Sequence, residues 1–354
     1  MWISILIKKK RKMEKTRSVI VKSYGGYDSL SIEPFDLPPL NGNIEVKVEY
    51  GGLNFADIYT RRGLVAAKEL PFVLGIECTG VITAIGEDVK DTGFEVGQKV
   101  ICYDYHGGMY RDTVRLNPNN CFVLPDFIDT KLGAAIFVNY LTAYISLLNL
   151  GNLRENESVL VLSCTGGVGS AAVQIARTVE GVHIVGTGSL LKEEHAIKNG
   201  VDTFLCNDTF LENVQEYKFD VILSNESGPT FTFLQSLLRP LGRIILIGAN
   251  NAVTNMNELD TPPIEESPTV DHDNVPLLSL LINNRVVSGL HLGILLATDP
   301  EKIEHTLDVI FSMIEDKQIS PLIHSVWKMS EFVEATKLLE ERKNVGKVLI
   351  SMLE

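Results

Sequence analysis

The sequence predicts an α/β protein in two parts, a small, mostly antiparallel β domain joined to a doubly wound parallel sheet, and three observations carry that prediction. Its 354 residues exceed the roughly 150 of one ordinary domain. From Arg17 to about Leu124 short β-like runs (Ser18–Lys22, Ile44–Tyr50, Gly80–Ile85, Val100–Tyr103) are broken by Gly-Gly, Pro-Pro and Asn-Gly pairs. From Val159 onward strand-like and helix-like segments alternate, the pattern of a parallel sheet covered on both faces.

In that second part the strand-like runs are Val159–Ser163, Val182–Thr187, Thr203–Cys206, Asp220–Ser224 and Arg243–Gly248. Helices are expected at Val168–Val179, at Lys192–Lys198 (stopped by Gly200) and at Thr230–Leu238. Residues 250–276 break the alternation. Glu258, Asp260, Glu265, Glu266, Asp271 and Asp273, with Pro262, Pro263 and Pro268, predict an acidic, mobile loop. Periodicity resumes with a strand at Arg285–Leu290, a helix at Pro300–Ile314, a strand at Ser325–Trp327, a helix at Ser330–Arg342 and a strand at Gly346–Ser351.

Composition narrows the function classes. With 45% hydrophobic and 22% charged residues the chain has the balance of a soluble globular protein. No run approaches the ~18 apolar residues of a membrane-spanning helix. A net charge of −13 repels phosphate backbones and argues against nucleic acid as a partner. The five cysteines (Cys78, Cys102, Cys121, Cys164, Cys206) show no C-x-x-C spacing, so reduced thiols in a cytoplasmic protein are expected. Met1–Ile7 is apolar and Lys8–Lys12 is basic, the reverse of a secretory signal. Residues 1–16 therefore read as a disordered basic tail, with Met13 as an alternative start; a peripheral membrane contact through Lys8–Lys12 is the other reading.

The most informative segment is Val159–Arg177. A nearly all-apolar strand runs into Cys164-Thr165-Gly166-Gly167-Val168-Gly169 and then into a helix rich in alanine. Glycines there let the backbone turn sharply and present N–H groups to a pyrophosphate at the positive end of the helix. A second strand ends in Gly186-Thr187-Gly188-Ser189-Leu190-Leu191-Lys192, with no acid before Glu193. An NAD site usually places a carboxylate at that end for the ribose 2′-hydroxyl. Ser189 and Lys192 suit a 2′-phosphate instead, which favours NADPH; the bland alternative makes Lys192 a solvated helix residue.

Further stretches complete a recognisable set: Gly25-Gly26-Tyr27-Asp28, Asn54-Phe55-Ala56-Asp57, Gly75-Ile76-Glu77, Asn139-Tyr140-Leu141-Thr142-Ala143-Tyr144, Leu238-Arg239-Pro240-Leu241-Gly242, Gly289-Leu290-His291-Leu292-Gly293, His324-Ser325-Val326-Trp327 and Lys343-Asn344-Val345-Gly346-Lys347. With the glycine turn, they make the chain resemble the zinc-free quinone oxidoreductase (zeta-crystallin-like) branch of the medium-chain dehydrogenases and reductases. Within it the chain is most similar to the synaptic vesicle membrane proteins of the vesicle amine transport type. The resemblance implies a GroES-like catalytic domain at 17–138, completed by 291–354, around a Rossmann NADP-binding domain at 139–290. It implies a homodimer joined through a strand matching Arg285–Leu290. It also implies an enzyme that reduces quinones or conjugated carbonyls with NADPH. The alternative it brings is a catalytically weak NADPH-binding adaptor, peripheral on vesicles or the mitochondrial outer membrane.

Residue by residue, the resemblance puts Asn54 and Tyr59 at the catalytic positions. It puts Thr142, Thr165, Gly166, Gly167, Val168, Gly169, Thr187, Ser189, Lys192 and Gly248 at the cofactor. Asn54 as a turn residue and Tyr59 as a packing residue are the competing readings. Asp57 reads as a structural partner of Arg61 or Arg62. Relatives that bind catalytic zinc carry histidine where Ile76 stands, and isoleucine ligates nothing, so no metal is expected; His106, His291 and Cys102 are isolated candidates. The chain departs from the family at Ser163 and Cys164 in the turn, at Asn207 near the adenosine and at Ser224–Gly228 near the nicotinamide.

Overall fold

A computed structural model describes residues 14–64, 68–250, 275 and 277–353. The basic cluster Lys8–Lys12 and nearly all of the acidic loop 250–276 lie outside the described residues, as does most of the expected tail.

The first part opens with β1 (Lys15–Val21), β2 (Leu30–Asp36) and β3 (Ile44–Gly52), followed by helix α1 (Phe55–Arg62). It continues through β4 (Phe72–Val73), β5 (Glu77–Ile85), β6 (Lys99–Tyr103), β7 (Thr113–Leu116) and β8 (Cys121–Val123). Alternation explains these strands: Ile44, Val46 and Val48 of β3 are buried while Lys47 between them is exposed. Short helix α2 (Thr130–Gly133) and helix α3 (Phe137–Tyr144) then lead into the second part, α3 running on as a π turn over Ile145–Leu150.

There β9 (Ser158–Val161), α4 (Gly167–Arg177), β10 (His183–Gly188), α5 (Glu193–Asn199), β11 (Thr203–Cys206) and α6 (Phe210–Asn213) follow in turn. Next come β12 (Phe219–Ser224), α7 (Gly228–Gln235), β13 (Leu238–Leu246), α8 (Leu277–Asn283) and β14 (Val286–Gly289). The six strands are all parallel, in the order β11-β10-β9-β12-β13-β14. Counted from β9 this is 3-2-1-4-5-6, the doubly wound order with its switch point between β9 and β12. Every residue of β9 is buried, as a central strand requires. Ala171, Ala172 and Ala176 are fully buried, their short side chains bringing α4 close to the sheet.

Helices α9 (Leu292–Thr298) and α10 (Pro300–Glu315) follow, then β15 (Ile323–Lys328), α11 (Phe332–Glu340) and β16 (Lys347–Ser351). Asp299 caps α10 by accepting from the Lys302 N–H, with Pro300 in its first turn. Ile303, Leu307 and Ile310 face inward at helical spacing and join the core of Val159, Val161 and Ala171. β15 and β16 complete the sheet β15-β16-β3-β5-β6-β8, with β7 on β3.

Two local expectations change. The helix expected at Thr230–Leu238 ends at Gln235, because Leu238 pairs with Phe219 and starts β13. Pro240 disfavours helix in the residue before it, and tertiary pairing overrides the local apolar period. The helix expected from Ser330 begins at Phe332 after a short 3₁₀ turn.

All five cysteines are free thiols. Three that are far apart in sequence stand side by side: Cys102 is the register partner of Cys78 on one strand and of Cys121 on the other. The Met109 sulfur lies 3.9 Å from the Cys78 sulfur.

Candidate functional site

A cleft runs between the carboxyl ends of the parallel strands and the barrel, crossing the switch point. Ser163, after β9, and Asn225, after β12, flank that point, and the Asn225 amide donates to the Ser163 hydroxyl at 3.1 Å.

The glycine turn forms one wall. Ser163 sits in the left-handed region at φ 53° and its carbonyl accepts from the Gly166 N–H at 2.9 Å. A Cβ at Gly169 would collide with that carbonyl, so only glycine closes the turn. Helix α4 starts at Gly167 behind Gly166, which offers no side-chain cap. The first N–H groups of α4 thus have no side-chain acceptor, the arrangement that receives an anion. Thr142 and Thr165 line the same wall, both over nine-tenths buried, and no hydrogen bond ties their hydroxyls to a described residue. Thr187 does not line the cleft. Its hydroxyl accepts from the Ser163 N–H at 3.1 Å and braces the turn from behind.

The barrel supplies the opposite wall. Lys347, from β16, is fully buried and pairs with buried Glu77 of β5. Its ammonium also donates to Asn54 Oδ1 at 2.7 Å, while Asn54 Nδ2 donates to Glu77 Oε1 and to the Gly52 carbonyl, each at 2.9 Å. Both amide hydrogens of Asn54 are therefore taken. Toward a ligand Asn54 acts only as an acceptor through Oδ1. Tyr59 donates to Asn250 Oδ1 at 2.6 Å, bridging the two parts of the chain, and burial pushes its phenol further above the usual range.

Asp57 has a structural role, but Arg61 and Arg62 are not its partners. Both arginines pair with Glu340. The Asp57 carboxylate accepts from the Tyr110 hydroxyl at 2.6 Å and from the Asn54 N–H at 2.8 Å. Full burial pushes its carboxyl up to about 6, against the pull of those two donors.

At the end of β10, Ser189 and Lys192 line the cleft. Lys192 is not a solvated helix residue: its ammonium donates to the Arg342 carbonyl at 2.5 Å and to the Asn344 carbonyl at 2.7 Å. One of its three N–H donors remains, and burial lowers its pKa. Arg342 lines the cleft beside it, in a left-handed backbone conformation at φ 55°. His324 feels the charges of Lys192 and His195, and its pKa is lowered first by burial and then by them. This end of the cleft is cationic.

Among the described residues no group of three His, Cys, Asp or Glu side chains converges to hold a metal ion. His291 caps α9 and meets Tyr105 edge-on, and Cys102 lies within the barrel sheet. With Asn54 and Ile76 at the cleft, the donor set does not fit zinc.

The cleft brings together every predicted site residue except Thr187. It adds Asn139, Asn250, Arg342, Asn344 and Lys347. Asn139 and the 343–347 stretch were visible as motifs, but only the fold says which way they face. Among the described residues no helix is long and apolar enough to cross a membrane.

Comparison with known proteins agrees with this architecture. The family model described as "Alcohol dehydrogenase GroES-like domain" matches residues 41–137, and that described as "Zinc-binding dehydrogenase" matches residues 191–350. A synaptic vesicle membrane protein VAT-1 homolog from Danio rerio is 33% identical over 343 residues, spanning 95% of this chain and 70% of the relative. The human VAT-1 homolog-like protein has a crystal structure 28% identical to this chain, with a TM-score of 0.81 over 97% of it and 99% of the other. Mycobacterial Rv1454c complexed with NADPH shares the fold at 23% identity, TM-score 0.81, over 95% and 99% of the two chains. A quinone oxidoreductase from Pseudomonas syringae shares it at the same identity, TM-score and coverage.

Proposed function

The chain belongs to the family of synaptic vesicle membrane protein VAT-1 homologues, within the medium-chain dehydrogenase/reductase superfamily, and from that premise we propose that it is a zinc-independent, NADPH-dependent oxidoreductase reducing quinones or conjugated carbonyls. The observation that carries this reading is the cleft itself. An uncapped helix N-terminus and glycine turn face an apolar floor that includes Leu53, Ile76 and Val138. Two solved structures of the same fold, one complexed with NADPH and one a quinone oxidoreductase, support it.

The bound nicotinamide supplies a hydride, and a conjugated acceptor spreads the resulting charge over its own π-system without a Lewis acid. The protein's part is positioning. Gly166–Gly169 and the start of α4 hold the pyrophosphate, and Thr142 and Thr165 offer hydroxyls beside it. Ser189, Lys192 and Arg342 take the 2′-phosphate; the missing carboxylate after β10 disfavours NADH. Asn54 accepts through Oδ1. Tyr59 donates to a substrate oxygen only after leaving Asn250.

That last point favours a second reading, an adaptor that binds NADPH and turns over little, because both candidate catalytic donors are engaged within the protein. Titration with NADPH and NADH, followed by turnover of a small ortho-quinone, decides between them. Tighter NADPH binding with quinone reduction supports the enzyme. Binding without turnover leaves the adaptor, and equal affinity for both cofactors overturns the 2′-phosphate assignment.

We also propose a homodimer joined at the sheet edge. Leu277, Leu278, Leu281 and Ile282 of α8 are over two-thirds exposed, next to edge strand β14. Sedimentation of Leu281→Glu should give monomers. Liposome flotation with and without residues 1–13 tests the peripheral membrane contact.

A further inference from the structure

We propose that Asn139 is a cofactor-binding residue whose amide donates to the pyrophosphate; this rests on the reading that a nicotinamide dinucleotide occupies the cleft. Asn139 lies on α3, a helix otherwise built of apolar, aromatic and threonine side chains, and is 5% exposed. Its side chain makes no hydrogen bond to any described residue, yet it lines the cleft. The amide opens onto the cleft, so its partner there is solvent or a bound group. Neighbouring Tyr140 differs: its hydroxyl donates to Gln174 at 2.8 Å.

Position identifies the missing partner. A Cβ placed on Gly167 would meet the Asn139 Oδ1 at 2.8 Å and its Nδ2 at 2.9 Å. The amide is therefore packed against the first residue of α4, where the uncapped N–H groups begin. Thr142, one helical turn further along α3, presents an unpaired hydroxyl to the same wall. An anion seated on the start of α4 lies between these side chains and the turn. Of the amide's two ends only Nδ2 donates, so a phosphate oxygen is the complement. Gly167 and Asn139 then act together: the missing Cβ leaves room for the amide, and the amide extends the ring of N–H donors.

The test compares Asn139→Ala and Asn139→Asp with the parent by calorimetric titration of three probes. These are NADPH, 2′-phospho-ADP-ribose (pyrophosphate without nicotinamide) and adenosine 2′-monophosphate (neither). Loss of a hydrogen bond to a charged group predicts about ten-fold weaker binding of the first two in Asn139→Ala. Asn139→Asp sets a carboxylate against the phosphate and should weaken them further, while adenosine 2′-monophosphate is unchanged. Asn139→Ser replaces Asn139→Ala if the latter melts lower than the parent. Loss confined to NADPH points to the nicotinamide and overturns the assignment, as does equal loss for all three probes or none. A parent protein that binds none of the probes removes the dinucleotide reading itself, a result distinct from every variant outcome.

Discussion

On the parallel-sheet side of the cleft, Asn139, Thr142 and Thr165 are more than nine-tenths buried and their side chains bond to no described residue. On the barrel side Asn54, Glu77 and Lys347 bond to one another, Asp57 to Tyr110, and Tyr59 to Asn250. The first wall presents polar side chains that open onto the cleft and have no partner among the described residues. The second is bonded within itself before any ligand arrives, one buried oxygen of Asp57 excepted, and keeps its shape. Substitutions should therefore divide the same way, with the barrel wall failing in stability and the sheet wall in binding.

The largest effect should come from Glu77→Gln, which leaves the Lys347 ammonium buried without a countercharge. It should cost about 3–5 kcal/mol in chemical denaturation, and a Glu77→Leu, Lys347→Met double variant should recover most of that. A Glu77→Gln protein of parental stability but impaired binding would break the comparison.

Asp57→Asn comes next and should stabilise. The folded pKa of about 6 lies above the free value of 3.8, so the native state holds the proton more tightly. The contribution of Asp57 is fully present below pH 3.8 and is lost as pH rises through 6. The asparagine variant should exceed the parent by roughly 2–3 kcal/mol at pH 8, and the gap should close between pH 6 and 4. A gap independent of pH would refute the assignment.

Smaller effects belong to the other wall. Lys192→Ala should reduce the preference for NADPH over NADH by about ten-fold, the scale of one charge-assisted contact. The same variant frees two carbonyls, so a small fall in melting temperature is expected beside it. Thr142→Val should weaken cofactor binding by only about three- to ten-fold, with stability unchanged. If Thr142→Val destabilised the fold, its hydroxyl would be structural and the two walls would be alike.

How legible this was depended on the range of each signal. The glycine turn and the β9–α4 unit are local, and the sequence marked them at Val159–Arg177. Ile76 was equally plain. Arg342 was not, because it reaches the cleft from a segment 150 residues beyond Lys192 through a left-handed backbone that no pattern announces. The resemblance puts Thr187 at the cofactor, whereas its hydroxyl accepts from the Ser163 N–H and braces the turn from behind, a long-range contact that no local pattern marks. Lys347 belonged to a recognised motif, yet its partner Glu77 lies 270 positions away. The extra residues of β13 were hidden by an apolar run that reads as helix until Pro240.

The cysteine ladder gives the protein a built-in reporter. Of the five thiols only Cys206, at the end of β11, is more than marginally exposed, and it adjoins Asn207 on the rim of the cleft. Burial raises the Cys164 thiol to about 12, out of reach of the thiolate chemistry that labelling reagents need. A maleimide dye on the native protein should therefore attach at one place, beside Asn207 on the rim of the cleft, and sense occupancy there. The remaining four thiols become reactive only when the sheets part. The three labels that add at Cys78, Cys102 and Cys121 then turn the same reagent into a clock for the opening of the β5-β6-β8 layer.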